Sequence, residues 1–489
     1  MPVIPIAEWI PDAADLGNPG SITVTNAVPG LNSYKPINQL VATTDSLTDR
    51  PRGAIEAKDA SQNIFDYAGD ETNLYELSGG TWSDISGATY ATAAEENWEF
   101  VRWKEKIIAT NFTDNPQAIT LGGVSFANLT TALRFRHVGV VRDFVVAGNT
   151  WDATDGEVRD RVRWCAINDE TDWTPSATTL ADFRDLKAGG GIQRVIGGEY
   201  GVLLAEKSTW RMTFVGTPTI FQIDETVPGV GCLSPGSATV LAGIVFYASE
   251  HGFVALQGGT RPTFIGDGKV DEFFRNDLDE DYLYRISSVA DPESGRVYWA
   301  YPGAGNTGGR PNKLIVYDRV LDRWGYAELE IELIWRSGGV ATTLEQLDSV
   351  SASIDALPSS LDSSQWKGGA AQLAGFDSSF ANGNFTGSPM TAIMETKEVE
   401  INPGRRTQLN AFLPMVDGGS VSARVGTRNR QSDSVSYSAT LNQSSTGRFT
   451  TRANAKFHRF ELTASGLWTD IIGVQVNPRE DGKQAGGRG

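Results

Sequence analysis

The sequence predicts an all-β fold: a β-propeller-like main domain of about six blades, plus a C-terminal antiparallel β-domain. Three observations lead there. Short apolar-alternating runs end in Gly-, Asn- or Asp-containing turns, and these groups recur roughly 30 to 45 residues apart. Turn formers and strand-suited aromatics are both abundant, with 53 Gly, 21 Pro and 13 Trp. Helical periodicity is confined to two short stretches. At 489 residues the chain also exceeds what one hydrophobic core usually serves, so at least two structural units are expected. A pair of β-sandwiches is the structural alternative.

Residues 1–35 are rich in Pro, Gly, Asn and Thr with weak periodicity, and read as an extended arm. Such an arm is either disordered or laid across a neighbouring subunit. The propeller-like domain is expected over residues 36–330. Its first group is Leu74-Tyr-Glu-Leu77, a Ser-Gly-Gly-Thr turn and Trp82-Ser-Asp-Ile85, a hairpin signature. Trp98-Glu-Phe-Val-Arg-Trp103 with Lys106-Ile-Ile-Ala-Thr-Asn111 is the second. The third combines Asp143-Phe-Val-Val-Ala147 with Arg161-Val-Arg-Trp-Cys165, and the fourth Tyr200-Gly-Val-Leu-Leu204 with Thr209-Trp-Arg-Met-Thr-Phe214. Gly243-Ile-Val-Phe-Tyr247 and Phe253-Val-Ala-Leu256 make the fifth. In the sixth, Arg296-Val-Tyr-Trp-Ala-Tyr301 precedes Lys313-Leu-Ile-Val-Tyr-Asp318 and Arg323-Trp-Gly-Tyr326. Each group alone exposes an apolar face; packing the groups in a circle buries those faces and leaves few sheet edges.

Residues 267–279 are the best short helix, anchored by Phe273 and Phe274 on the face of Val270. A connector over 331–375 contains a second candidate at 343–357, ended by Pro358. The C-terminal β-domain is placed at 376–478. Thr391–Ile401 is its long strand candidate, Asp417-Gly-Gly its hairpin turn, and Val421–Arg428 an alternating strand. Residues 479–489 form a polar, Gly-rich, flexible tail.

The formal charge is −18. A protein that grips nucleic acid along its surface is normally basic, whereas an acidic wall repels phosphate and lets it slide past; the plain alternative is that the acidity keeps a large protein soluble. The charge is also uneven. Residues 401–489 hold 12 basic and 6 acidic residues, a balance of +6, which leaves −24 for residues 1–400. Two regions with different neighbours are implied. Two cysteines, Cys165 and Cys232, do not make a disulfide framework, and synthesis in a reducing compartment fits. The start, Met1-Pro-Val-Ile-Pro-Ile, lacks the basic and long apolar regions of a signal peptide, and no apolar run approaches 18 residues.

Signals for chemistry are sparse. His137, His251 and His458 lack metal-site spacing. There is no Gly-x-Ser-x-Gly elbow, and Gly189-Gly-Gly191 precedes a strand-like run, as a bend does rather than a phosphate cradle. Asp277-Leu-Asp-Glu-Asp281 lacks the glycine and the terminal Glu of a calcium loop. Propellers also host glycosidases, but Ser78–Trp82 and Ser208–Trp210 carry only the aromatic end of a sialidase Asp-box. No catalytic, cofactor or metal residue is therefore assigned. What remains is an arginine set in the C-terminal unit: Arg405, Arg406, Arg424, Arg428, Arg430, Arg448, Arg452 and Arg459. Arg424 and Arg428 share one strand face. Arg405, Arg406, Arg424, Arg428 and Arg459 are the candidate docking residues for an acidic neighbouring subunit; DNA contact is a second reading, against which the stretch has few aromatics for base stacking, and a solvated strand face is the plain alternative.

The middle of the chain carries a resemblance. Asp172-Trp-Thr-Pro-Ser176, Gly190-Gly-Ile-Gln-Arg-Val-Ile-Gly197, Glu206-Lys-Ser-Thr-Trp-Arg-Met-Thr-Phe-Val-Gly216 and Ile220-Phe-Gln-Ile-Asp224 begin it. Gly229-Val-Gly-Cys-Leu-Ser-Pro-Gly236, Phe246-Tyr-Ala-Ser-Glu-His-Gly-Phe253 and Ile265-Gly-Asp-Gly-Lys-Val270 continue it. So do Leu344-Glu-Gln-Leu-Asp-Ser349 and Leu361-Asp-Ser-Ser-Gln-Trp-Lys-Gly-Gly369, with a looser match at Arg459-Phe and Trp468-Thr-Asp-Ile-Ile-Gly-Val. Together these resemble the DNA-stabilisation and tail-nozzle (head-completion) proteins of short-tailed phages. The resemblance implies a homohexameric ring below the adaptor or portal, with a propeller-like domain that plugs or extends the DNA exit channel. It implies a non-enzymatic virion tail protein, assembled in the host cytoplasm, that meets transiting double-stranded DNA without sequence-specific contacts. Tail fibres are a further candidate partner, although no motif specifies their attachment. The competing reading is a receptor-binding or glycan-degrading phage tail protein; a cellular propeller scaffold is the third.

Overall fold

Five of the six hairpin groups read from the sequence each fold as one four-stranded antiparallel sheet, and the sixth folds as a run of four strands within a larger sheet. The computed structural model describes residues 3–14, 18–338 and 371–480. The helix candidate at 343–357, the quoted stretches 344–349 and 361–369, and the tail from 481 lie outside the described residues.

The first sheet spans residues 53–84, the second 99–128, the third 133–185, the fourth 192–228 and the fifth 239–264. Residues 287–328 supply a sixth run of four strands. A seventh combines Leu333–Ser337, Gln372–Phe376 and Ala381–Asn384 with Val41–Ser46, which docks as its outermost strand through Ala381↔Ser46 and Asn384↔Val41. Innermost strands of neighbouring sheets lie side by side: Gly53–Lys58, Glu99–Trp103, Leu133–Val141 and Ile192–Ile196 follow in turn. Thr239–Leu241, Ser287–Asp291 and Leu333–Ser337 likewise follow one another, and the last adjoins Gly53–Lys58 again; the fourth and fifth sheets are joined by the apolar cluster of Val202, Leu204, Val245 and Tyr247. The arrangement is propeller-like.

Apolar clusters fill the seams between neighbouring sheets. Tyr67 and Leu74 meet Trp98 and Ile107; Trp103 and Ile108 meet Phe135 and Val145; Phe144 and Trp164 meet Leu203 and Phe221. Val202 and Leu204 then meet Val245 and Tyr247, Phe246 and Phe253 meet Trp299 and Trp324, and Leu314 and Val316 meet Ile334. Middle strands are buried on both faces, so consecutive residues serve opposite seams: Ile107 and Ile108, Phe144 and Val145, Leu314 and Ile315. This is why these strands read as continuous apolar runs rather than as strict alternation.

The seam between the seventh and first sheets joins residues far apart in sequence. Trp335 stacks on Phe376 (centroids 5.8 Å) and faces Trp82 (6.5 Å). Beside them Asp66 of the first sheet accepts hydrogen bonds from Ser337 Oγ (2.6 Å) and the Gly338 N–H (3.0 Å). Burial pushes the Asp66 carboxyl up to about 6, against these two donors. The folded chain therefore holds a proton here between about pH 4 and 6 that the unfolded chain has released. Stability is expected to fall by on the order of 2 kcal/mol as pH rises through that window and to flatten above it. Urea unfolding at several pH values checks this. Asp66→Asn removes the step, and an unchanged step in that variant would reject the assignment.

The described residues 3–14 and 18–36 do not leave the molecule as a free arm. Ala27–Pro29 continues the sixth sheet at Tyr326, Tyr34–Pro36 pairs with it, and Val3–Pro5 pairs with the C-terminal strand. One fourteen-stranded sheet thus links the sixth blade-like unit to the C-terminal domain. The physical reason is burial. Trp9 packs on Phe273 and Tyr326 (5.1 and 5.5 Å), and its N–H donates to the Tyr34 hydroxyl. The short helix forms at Asp271–Asp277, inside the predicted 267–279. Its first-turn N–H groups, Glu272 and Phe273, donate to the Asp12 carboxylate at 2.8 and 2.7 Å, so the arm supplies the cap that Val270 cannot.

The C-terminal unit differs from its sequence reading in two places. Asp417-Gly-Gly is not a turn: it lies inside one 22-residue strand, Thr407–Arg428, paired along its length with Phe457–Glu480. Gly418 and Gly419 have φ of 69° and 65°, and register shifts there mark bulges. The expected strand at 391–401 is short, Ala392–Glu395; beyond it Glu398 meets two buried arginines, and only a single bridge, Val399↔His458, resumes the pairing.

Candidate functional site: the axial cavity

The residues just before, or within, the innermost strands converge on a cavity of about 670 Å³ at the centre of the sheet ring. A charged residue arrives from nearly every sheet: Arg52, Glu99, Arg136 with His137, Arg194, Arg285 and Glu332. The fifth sheet contributes Ser234–Gly236 instead, from the turn before its first strand.

These groups cross-link neighbouring sheets. The Glu99 carboxylate lies 2.8 Å from His137 Nδ1, 3.3 Å from Arg194, and accepts the Val138 N–H at 3.1 Å, which ties the second, third and fourth sheets. Burial opposes its ionisation, but Arg194 and His137 outweigh burial and hold Glu99 below the usual carboxylate range. An ionised carboxylate only accepts, so His137 carries its proton on Nδ1; its Nε2 is buried without a partner among the described residues. Arg136 clasps Glu96 at 2.7 to 3.1 Å and reaches Glu157 at 3.3 Å. Glu332 is shared by Arg285 and Arg310. Each of these four carboxylates is thus committed to a guanidinium, an arrangement that fixes the wall of the cavity and favours recognition of charge within it.

The other chemistry-bearing residues stand apart. His251 lies in an exposed turn, with Nε2 3.1 Å from the Gly229 carbonyl, and His458 is buried in the C-terminal unit. Among the described residues no group of three His, Cys, Asp or Glu is placed to hold a metal ion. Both thiols are buried and free; burial pushes Cys165 up to about 12 and Cys232 up to about 11, which keeps them protonated and inert at neutral pH. No helix of the described residues is long and apolar enough to cross a membrane.

The arginine set divides. Arg428 makes two hydrogen bonds to Glu398 at 2.6 and 2.8 Å, Arg459 makes one at 3.2 Å, and all three side chains are buried. Their charge is taken up inside the unit. Arg424 pairs with Glu461 at 2.7 and 2.6 Å and lies over Tyr437. Arg405 and Arg406 are exposed; Arg406 donates only to the Asn454 carbonyl among the described residues. Arg448 and Arg452 are exposed close by, at the neighbouring strand Phe449–Ala455, which pairs with the start of Thr407–Arg428.

Sequence reading missed the axial cavity. Its signal was a charged residue at the start of what ought to be the most apolar strand of each repeat, as in Arg52-Gly, Glu99-Phe, Arg285-Ile and Glu332-Leu. Paired partners such as Glu99 and Arg194 come from different sheets, so no spacing rule connects them.

No family model matches the chain, and no curated protein matches its sequence. Several solved structures are similar. The computationally designed Ika8 protein has a TM-score of 0.36 at 9% identity, covering 78% of this chain and 98% of its own. The Pan2 WD40 domain of Neurospora crassa has a TM-score of 0.36 at 7% identity, over 63% of this chain and 90% of that domain. BBS1N, solved in complex with ARL6DN, has a TM-score of 0.39 at 9% identity, over 73% of this chain and 96% of its own.

Proposed function

We propose that this chain is a structural subunit of the ring that closes and extends the DNA exit channel of a short-tailed phage, retaining packaged DNA and passing it during ejection. The observation that carries the reading is the division of charge over the fold. Residues 1–400, which include the ring of sheets, sum to −24, whereas residues 401–489 sum to +6. Arg405, Arg406, Arg448 and Arg452 stand exposed near one sheet edge and meet no carboxylate among the described residues. A basic edge on one subunit and an acidic body on the next is the complementarity a head-to-tail contact needs, and such contacts close into rings. The acidic body then faces DNA with a repulsive wall. The ring of sheets itself is read as seven blades, supported by the circular order of innermost strands and by the N-terminal strand Val41–Ser46 completing the last unit.

Negative-stain images of the purified protein at low salt are expected to show rings of about six subunits. Arg405→Glu with Arg406→Glu abolishes them while leaving the unfolding midpoint within about 0.5 kcal/mol, since both side chains are exposed. A wild-type protein that stays monomeric at high concentration and low salt, in the presence of its portal-side partner ring, overturns the reading.

A further inference from the structure

The axial cavity holds a basic charge that the fold leaves unmatched. Arg50 stands just before the innermost strand of the first sheet, and its guanidinium meets no carboxylate among the described residues. Its side chain makes one hydrogen bond there, from Nη2 to the Ala94 carbonyl at 3.4 Å, and lies over the Tyr284 ring at 5.9 Å. Most of its five N–H donors are therefore open.

Two further guanidiniums stand near it, and Glu332 opposes them only in part. Arg52 and Arg285 line the same cavity, and both side chains are buried. Arg52 spends one contact on Glu71 at 3.0 Å; Arg285 shares Glu332 with Arg310. Arg310 also pairs with Glu330 at 3.5 Å. Four guanidiniums thus meet three carboxylates, an excess of one positive charge centred on Arg50. The Nε–H groups of Arg52 and Arg285 are buried without acceptors among the described residues. Burial first, then the charges of Arg285 and Arg52, pull the Arg50 guanidinium below its ordinary value. Crowding like charges in a half-buried site is unfavourable unless an anion completes it.

We propose that Arg50, backed by Arg52 and Arg285, binds a small tetrahedral oxyanion of the phosphate class in the axial cavity. An inorganic phosphate carries between one and two negative charges at neutral pH, enough to offset the unmatched Arg50, and guanidiniums suit its oxygens in paired hydrogen bonds. The cavity volume of about 670 Å³ accommodates the ion with its hydration. Glu95, Glu280 and Asp281 stand exposed at the rim and repel a long polyanion, so the site selects a small ion and not a nucleic-acid strand.

The test is calorimetric titration of the full chain with inorganic phosphate, in phosphate-free buffer at fixed ionic strength. One site per chain with a Kd of about 1 mM or tighter is expected, weakened at least tenfold by Arg50→Gln. Sulfate, of the same shape, competes; acetate and chloride at equal ionic strength do not. Equal binding by Arg50→Gln, absence of a binding heat, or equal competition by acetate overturns the proposal. Should Arg50→Gln fail to fold, Arg50→Lys keeps the charge but loses the planar fork; undiminished phosphate affinity in that variant overturns it likewise.

Discussion

Trp335→Ala is expected to cost about 3–5 kcal/mol of stability and to loosen the ring of sheets at its closure. Trp335 is 5% exposed and packs between the seventh and first sheets. It contributes a stacked contact with Phe376, a tilted one with Trp82 and a hydrogen bond from Nε1 to Asn382 Oδ1 at 2.9 Å. Truncation removes the apolar area, leaves a cavity that two rigid sheets cannot collapse to fill, and strips the Asn382 oxygen of its donor. Hydrogen exchange should accelerate first in Val41–Ser46 and Gly53–Lys58, the strands on either side of that seam. Trp335→Phe keeps most of the packing and is expected to lose less than half as much. A loss below about 1 kcal/mol for the alanine variant would mean that the seam is held elsewhere.

Glu398→Ala carries the second large effect, about 3–5 kcal/mol, localised in the C-terminal unit. The Glu398 carboxylate lies between Arg428 and Arg459, and the three side chains are 5–8% exposed. Removing it strands buried positive charge whose desolvation was offset by that carboxylate. Glu398→Gln, which keeps an acceptor oxygen but loses the charge, is expected to fall between alanine and wild type. Combining Glu398→Leu with Arg428→Met recovers part of the loss, because a well-packed apolar pair avoids the desolvation of an ion pair. Separate urea transitions for the two units, followed by fluorescence and by exchange, measure this. Equal destabilisation of the sheet ring and the C-terminal unit would argue against the localisation.

Much of the fold was legible because each sheet is built from strands adjacent in sequence. Leu74–Ser78 pairs with Thr81–Asp84 across two residues, and Lys106–Thr110 with Glu99–Trp103 across a similar turn. Hairpins of that kind announce themselves by alternation and turn chemistry. The seventh sheet did not, because its four strands come from residues 41–46 and 333–384. Within the long strand Thr407–Arg428 the sequence reads as a turn at Asp417-Gly-Gly and a strand at Val421–Arg428, since Asp-Gly-Gly satisfies a bulge as well as a hairpin. Only the partner strand distinguishes them. The arm was legible as extended but not as attached: its partners, Tyr326, Ile471 and Phe273, lie hundreds of residues away.

The site divides in the same way. The excess of arginine after residue 400 is a property of the sequence, and so is the acidity before it. Which arginines stay accessible was decided by tertiary structure: Arg428 and Arg459 are buried against Glu398, while Arg405 and Arg406 are exposed and find no carboxylate among the described residues. By itself the sequence determined the β architecture, the repeating unit and the charge division, because these follow from local alternation, turn residues and composition. Tertiary structure alone decided the closure seam and the axial cavity. Both depend on side chains from different sheets meeting at short range, and the chain carries no local record of that encounter.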